Sequence, residues 1–268
     1  MSLITLCIRI ALAAYVVALV ALYFMQDRML LPASLDAAGP PTGHHAGYDV
    51  KPWRANGEYA GYLVTPDTAQ PRGTFMVFHG NAETAENKLP LAEIFVHDGY
   101  RVVVVEYPGQ GSRQGKRTML AALAASRDAL GAVHAQWPGR VYLVGESLGA
   151  GMAAQAIKGN EATVAGVALI TPWDSLASVA STHYPIFPVR WMLHDPFDSV
   201  AALAHYDGPL VVIGAQQDTL IPISHAQRLA GTHPGAHLML LPDANHEDWF
   251  GAMNDAHWHQ VLRWMRAD

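Results

Sequence analysis

The hydrophobic and polar positions divide this chain into two parts. Leu3 to Met25 is almost wholly apolar, with Arg9 its one charge, and Gln26-Asp27-Arg28 ends the run. A bilayer-spanning helix needs about 20 predominantly apolar residues, so the pattern predicts a transmembrane helix over 3–25. Arg9 lies near one end, where its long side chain can snorkel to headgroups. Tyr23 and Phe24 suit the opposite interface. Two other readings stand beside an uncleaved signal anchor. A cleaved signal peptide needs a small-x-small site, where this chain has Leu22-Tyr23-Phe24-Met25. A buried core helix is the third. Arg9 on one side, with Arg28, Lys51 and Arg54 on the other, leaves the orientation open.

Residues 26–56 read as a linker and approach to a folded domain, since Pro32–Gly47 is rich in Pro, Gly, Ala and His and has no periodicity. From residue 57 to 268 strand and helix patterns alternate. Strands are expected at Glu58–Thr65, Thr74–His79, Arg101–Tyr107, Val141–Glu146, Val164–Thr171, Leu210–Gly214 and His237–Leu241. Helices are expected at Glu86–His97, Thr118–Gln136, after Ser147 and over Glu247–Arg266. Val102-Val103-Val104-Val105 has no polar face, as in a strand covered on both sides. The alternation predicts an α/β domain: a mostly parallel central sheet with helices on both faces. In such sheets the site lies at the carboxyl ends of the strands.

Composition narrows the chemistry. The net charge of −6 gives no basic footprint, which argues against a nucleic-acid partner. The one cysteine, Cys7, lies in the apolar segment, so the folded part is expected to have neither a disulfide nor a thiolate zinc site. The histidines lack ligand spacing: His257 and His259 are two apart on an expected helix and face different ways. No metal is expected.

The pentapeptide Gly145-Glu146-Ser147-Leu148-Gly149 stands between the apolar run Val141–Val144 and a small-residue helix start. G-x-S-x-G between a strand and a helix is a nucleophile elbow. The glycines remove side chains that would collide at so tight a turn, and Ser147 is left at its apex. A serine nucleophile needs a base, and the base needs an orienting acid. Asp218 and His246 follow Ser147 in the chain order expected for such enzymes, each just after a strand. Asp174, also after a strand, is the rival acid and ranks second. The oxyanion needs two backbone N–H donors. Leu148 supplies one, and Asn81, with Ala82 as the alternative, the other. Trp173 to Ala201 is a modest insertion. Its Trp173, Tyr184, Phe187 and Trp191 are read as a small cap and an apolar substrate pocket, or equally as ordinary helix packing.

Phe78-His79-Gly80-Asn81-Ala82, Glu106-Tyr107-Pro108-Gly109-Gln110-Gly111, the elbow and the Asp218 and His246 segments together resemble the α/β hydrolases. Tyr23–Pro32 is similar to the junction in their membrane-anchored Bem type, which includes α/β-hydrolase domain-containing lipases. The glycine loop departs from that pattern, reading Gly111-Ser112-Arg113-Gln114-Gly115. The resemblance implies an α/β-hydrolase fold with a cap at about 173–201, serine hydrolase activity on esters, often lipid-like, and no cofactor. A membrane anchor beside an apolar pocket then points to acyl or lysophospholipid-like esters. The alternatives are a peptidase or amidase on the same fold, and a catalytically silent membrane-anchored binding protein. Serine at the elbow excludes dehalogenase chemistry, which needs a carboxylate nucleophile there.

Overall fold

The computed structural model describes residues 2–34, 42–195 and 197–266. Residues 35–41 of the expected linker and Pro196 of the expected cap lie outside the described residues. The strands are β1 (Gly43–His45), β2 (Tyr48–Ala55), β3 (Glu58–Pro66), β4 (Thr74–Phe78), β5 (Arg101–Val105), β6 (Val141–Glu146), β7 (Gly166–Ile170), β8 (Leu210–Ala215) and β9 (His237–Leu241). They form one nine-stranded sheet in the order β1-β2-β3-β5-β4-β6-β7-β8-β9. The first three are antiparallel to their neighbours, and from β5 to β9 every pairing is parallel. Parallel neighbours need long crossovers, which helices supply here. In chain order these are α1 (Leu3–Leu30), α2 (Leu89–His97), α3 (Met119–Gln136), α4 (Leu148–Ile157), α5 (Leu176–His183), α6 (Val189–Met192), α7 (Ser199–Leu203), α8 (Ser224–Thr232), α9 (Trp249–Ala252) and α10 (Asp255–Trp264).

The valine run shows how the sheet builds two cores. Successive strand residues point to opposite faces. Val103 and Val105 join Met76 and Phe78 in one core, whereas Val102 and Val104 join Phe75 and Val77 in the other. Helices α3 and α4 cover the first face, and α2 and α10 the second. All four valines are fully buried.

Three elements differ from the sequence pattern. The apolar helix does not stop at Met25 but continues to Leu30. Its last turn is held from outside: Met119 N donates to Asp27 Oδ1 at 2.9 Å, and Leu31 N closes on Asp27 O at 2.8 Å. Strands β1 and β2 occupy part of the stretch read as linker and approach, and β2 buries Tyr48, Val50 and Trp53. The single helix expected over Glu247–Arg266 is two, α9 and α10. They break at Asn254, whose side chain accepts from His257 N at 3.0 Å and so caps the second.

Between β7 and β8 the chain leaves the sheet to form α5, α6 and α7. A bridge between Ser175 and Asp198 pinches the base of this excursion, and Trp173 Nε1 donates across it to Phe197 O at 3.2 Å. One face of α1 leans on it. Tyr15, Ala18, Leu19, Leu22, Gln26 and Leu30, at helical spacing, are half-buried, and the rest of α1 up to Met25 is exposed. Tyr15 OH donates to Ile186 O at 2.8 Å, and its ring stacks on Phe187 at 5.4 Å. Gln26 Nε2 donates to Met192 O at 2.8 Å while its Oε1 accepts from His194 N at 3.0 Å. Helix α1 is long and apolar enough to cross a membrane.

Candidate active site

Ser147 sits where β6 turns into α4, with φ 52° and ψ −115°. A non-glycine residue in such a region costs on the order of 1–3 kcal/mol and persists only where its surroundings over-determine it. Here they do. Ser147 N donates to Ile170 O on β7 at 2.9 Å. A Cβ on Gly145 would stand 2.2 Å from Gly149 O, and one on Gly149 would stand 2.2 Å from Phe78 O. The two glycines therefore let α4 close directly onto β6 and β4. The turn that results lifts the serine off the sheet.

The imidazole of His246 arrives from the loop after β9. Its Nε2 lies 2.9 Å from Ser147 Oγ and its Nδ1 2.7 Å from Asp218 Oδ2. Asp218, from the loop after β8, is buried. Its other oxygen, Oδ1, accepts from Leu220 N at 2.9 Å and Ile221 N at 2.7 Å. An ionised carboxylate only accepts, so the proton on His246 belongs at Nδ1, and Nε2 is left to accept from the serine hydroxyl. The histidine loop is itself braced: Asn245 Oδ1 accepts from Glu247 N and Asp248 N, and Asp248 Oδ1 accepts from Asn245 N. The rival acid has another occupation. Asp174 pairs with His225 Nδ1 at 2.6 Å and Arg228 Nε at 2.7 Å. Burial pushes its carboxyl up, but the bonds from Arg228, His225 and Ser175 N outweigh that and hold it below the ordinary range.

The loop after β4 faces Ser147. Gly80, Asn81, Ala82 and Leu148 all border the same cavity. Leu148 is the first residue of α4, so its N–H has no acceptor within the helix. Ala82, at φ 58°, marks a sharp bend in the loop. Beneath it lies buried His79. Its Nε2 is 2.9 Å from Glu106 Oε1, and Glu106 Oε2 accepts from Ala85 N at 2.9 Å. Tyr107 OH donates to His79 O at 3.1 Å. Burial, with Glu106 and Glu83 adding to it, pushes that hydroxyl's pKa well up, so it remains a donor.

A second set of residues was missed by the sequence reading. Lys88 Nζ bonds Glu146, the residue before Ser147, and lies 2.8 Å from Glu83 Oε1. Glu83 Oε2 accepts from Gly80 N at 2.8 Å. One ammonium thus ties the loop after β4 to the elbow. Burial works against its charge, but Glu146 and then Glu83 more than offset this, and its pKa lies above the ordinary lysine value. A signal did exist: a charged residue inside an otherwise apolar elbow requires a buried partner.

The cavity over Ser147 measures about 630 Å³. Of the side chains expected to form a pocket, Trp173 borders it and packs edge-on against α4, where a Cβ on Gly151 would lie 2.4 Å from its ring. Tyr184 borders a separate small cavity. Phe187 and Trp191 border a third on the outer side of the cap, where Trp191 is 91% exposed. Leu176, Val179, Leu220 and Ile221 supply most of the remaining apolar wall. Leu30 and Pro32 from the end of α1 complete it, which no pattern in the sequence announced.

The chain is similar to several known proteins. A family model described as serine aminopeptidase, S33, matches residues 69–194. An uncharacterized protein of Mycobacterium tuberculosis is 30% identical over 209 residues, covering 76% of this chain and 73% of that one. The α/β-hydrolase domain-containing protein WAV2 of Arabidopsis thaliana is 20% identical over 213 residues, covering 72% of this chain and 69% of its own length. Among solved structures, the Pyrococcus furiosus esterase Pf2001 superposes with a TM-score of 0.63 at 16% identity, over 87% of this chain and all of that one. Est1E of Butyrivibrio proteoclasticus, solved with ferulic acid, gives 0.65 at 15% identity, over 82% of this chain and all of its own.

Proposed function

The chain belongs to the α/β-hydrolase superfamily, and we propose that it is a membrane-anchored serine hydrolase cleaving carboxylic esters of acyl or lysophospholipid-like lipids. Ser147 Oγ attacks the ester carbonyl carbon while His246 Nε2 takes its proton, and Asp218 orients the imidazole and stabilises the cation formed. The carbonyl oxygen becomes an oxyanion, met by the N–H groups of Leu148 and Asn81. Collapse of this intermediate breaks the ester C–O bond. The alcohol leaves with the proton from His246, and the acyl group stays on Ser147. Water then gives a proton to His246 and attacks the acyl-enzyme, which releases the carboxylic acid and the free serine.

The observation that carries the reading is the unbroken hydrogen-bond chain Asp218–His246–Ser147, at 2.7 and 2.9 Å, on a strained elbow facing a cavity. Carbon-rich walls beside Ser147 support an acyl substrate. The half-buried stripe of α1 supports an anchor that is retained, because its loss would uncover the cap surface it contacts. A fluorophosphonate probe tests the nucleophile: wild-type protein in detergent is expected to be labelled, and Ser147→Ala is not. A folded wild type that resists labelling would sink the hydrolase mechanism. Esters of rising chain length test the substrate class. Far better turnover of short soluble esters, with no activity on lipids, would remove the lipid reading alone.

A peptidase reading has one specific support, the description of the matching family model. Glu83 and Glu146 on the cavity wall are committed to Lys88, which leaves Glu247 as the acidic side chain on the wall that a substrate amine would meet. Turnover of aminoacyl amides above that of matched esters would favour it.

A further inference from the structure

A small cavity of about 90 Å³ lies between the anchor helix and the cap. Leu22 and Met29 of α1 form one wall, and Ala180, Tyr184 and Leu193 of the cap form the other. Gln26 also borders it, but the amide is spent on the cap backbone at Met192 and His194. The lining is therefore almost wholly carbon. Leu30 and Leu176 border both this cavity and the one over Ser147. The two spaces thus share a pair of apolar side chains in their walls. Away from the seam, α1 presents an exposed apolar surface.

We propose that this seam is the subsite for the distal part of the substrate's acyl chain, and that the anchor helix is a wall of the substrate site as well as a tether. The inference rests on the ester-hydrolase reading and names how that site selects its acyl group. With an ester carbonyl at Ser147, an acyl chain running past Leu30 and Leu176 reaches a space that offers it contact with carbon and no polar group to desolvate. The space takes a run of several methylene-sized groups. Burying each one is worth about fourfold in affinity or rate. A butanoyl chain is too short to profit, whereas a dodecanoyl chain extends into the seam.

The test is kcat/KM for p-nitrophenyl butanoate and dodecanoate, measured on the full-length protein in detergent micelles. Two variants are compared with wild type. Ala180→Phe fills the seam and is expected to lower the dodecanoyl-to-butanoyl ratio at least tenfold. Leu193→Ala widens it from the same side and is expected to raise the ratio, with the optimum moved to longer chains. Fluorophosphonate labelling of Ser147 identifies which variants retain a folded site, and the opposite signs allow either one to decide. If labelled variants keep the wild-type ratio, the seam is not the acyl subsite and the esterase reading stands. If folded wild type is neither labelled nor active on either ester, that reading falls and takes this proposal with it.

Discussion

Replacing Lys88 by methionine keeps the aliphatic stem and removes the charge that joins the loop after β4 to the elbow. The lysine side chain is 8% exposed, that of Glu146 10% and that of Glu83 28%. Removing one partner of a buried ion pair costs about 3–5 kcal/mol, because the other charge is left uncompensated. Glu83 has partial access to water, so the lower end applies, about 3 kcal/mol. For a domain of this size that is a fall in Tm of about 6–12 °C. Adding Glu146→Gln to Lys88→Met is expected to recover part of the loss, since one stranded carboxylate is then gone. The pH dependence has a definite sign. A cation whose pKa is raised on folding stabilises the native state fully below the unfolded lysine value, about 10.4. It loses that contribution as pH rises through the higher folded value. The gap between wild type and Lys88→Met should therefore be flat from neutral pH to about 10 and shrink above it. Thermal melts in detergent at several pH values measure both effects. A Lys88→Met melt within 2 °C of wild type, roughly 1 kcal/mol or less, would refute the claim that this ammonium neutralises one buried and one half-buried carboxylate.

The two candidate acids separate cleanly. Asp218→Asn turns a donor toward His246 Nδ1 and is expected to lower kcat by about 10³–10⁴-fold with the fold intact, whereas Asp174→Asn should leave fluorophosphonate labelling of Ser147 in place; the reverse outcome would exchange their roles. The depressed pKa of Asp174 means its contribution to stability is present above the unfolded aspartate value, about 3.9, and is lost as pH falls through the lower folded value, so the melting gap between wild type and Asp174→Asn should close in acid. Gly149→Ala would set a methyl 2.2 Å from Phe78 O and is expected to cost at least the 1–3 kcal/mol typical of overpacking; an unchanged melt and normal labelling would show that the elbow can open without loss.

What was legible in the sequence was whatever depends on neighbours along the chain. The valine run announced a strand buried on both faces, and the glycines around Ser147 announced the turn that only they permit. That Asp218 and His246 would meet Ser147 was legible because parallel strands deliver the loops that follow them to one edge of the sheet. What was not legible depends on direction or on distant partners. The aromatics Phe187 and Trp191 suggested a pocket, yet the one-turn helix α6 carries Trp191 to the outside, and Phe187, in the turn before it, stacks on Tyr15. Lys88 and Glu146 stand far apart in sequence and meet only because β4 and β6 are adjacent. The break between α9 and α10 follows from an asparagine cap that competes with a continuous apolar periodicity.

Helix α1 also sets a height. At 1.5 Å per residue, Leu30 stands about 7–8 Å along the axis beyond Met25, and the headgroup layer of a bilayer is about 5–8 Å deep on each side. On the proposed anchoring, with the apolar run in the hydrocarbon and the cap face that touches Tyr15 dipping in beside it, the cavity bordered by Leu30 and Pro32 would open at the level of the ester linkages and headgroups themselves. A lipid would reach Ser147 by sliding sideways, without first leaving for water. The quantity that governs such an encounter is the mole fraction of substrate within the sheet of lipid, so the enzyme would sense membrane composition and remain indifferent to how much membrane the solution contains.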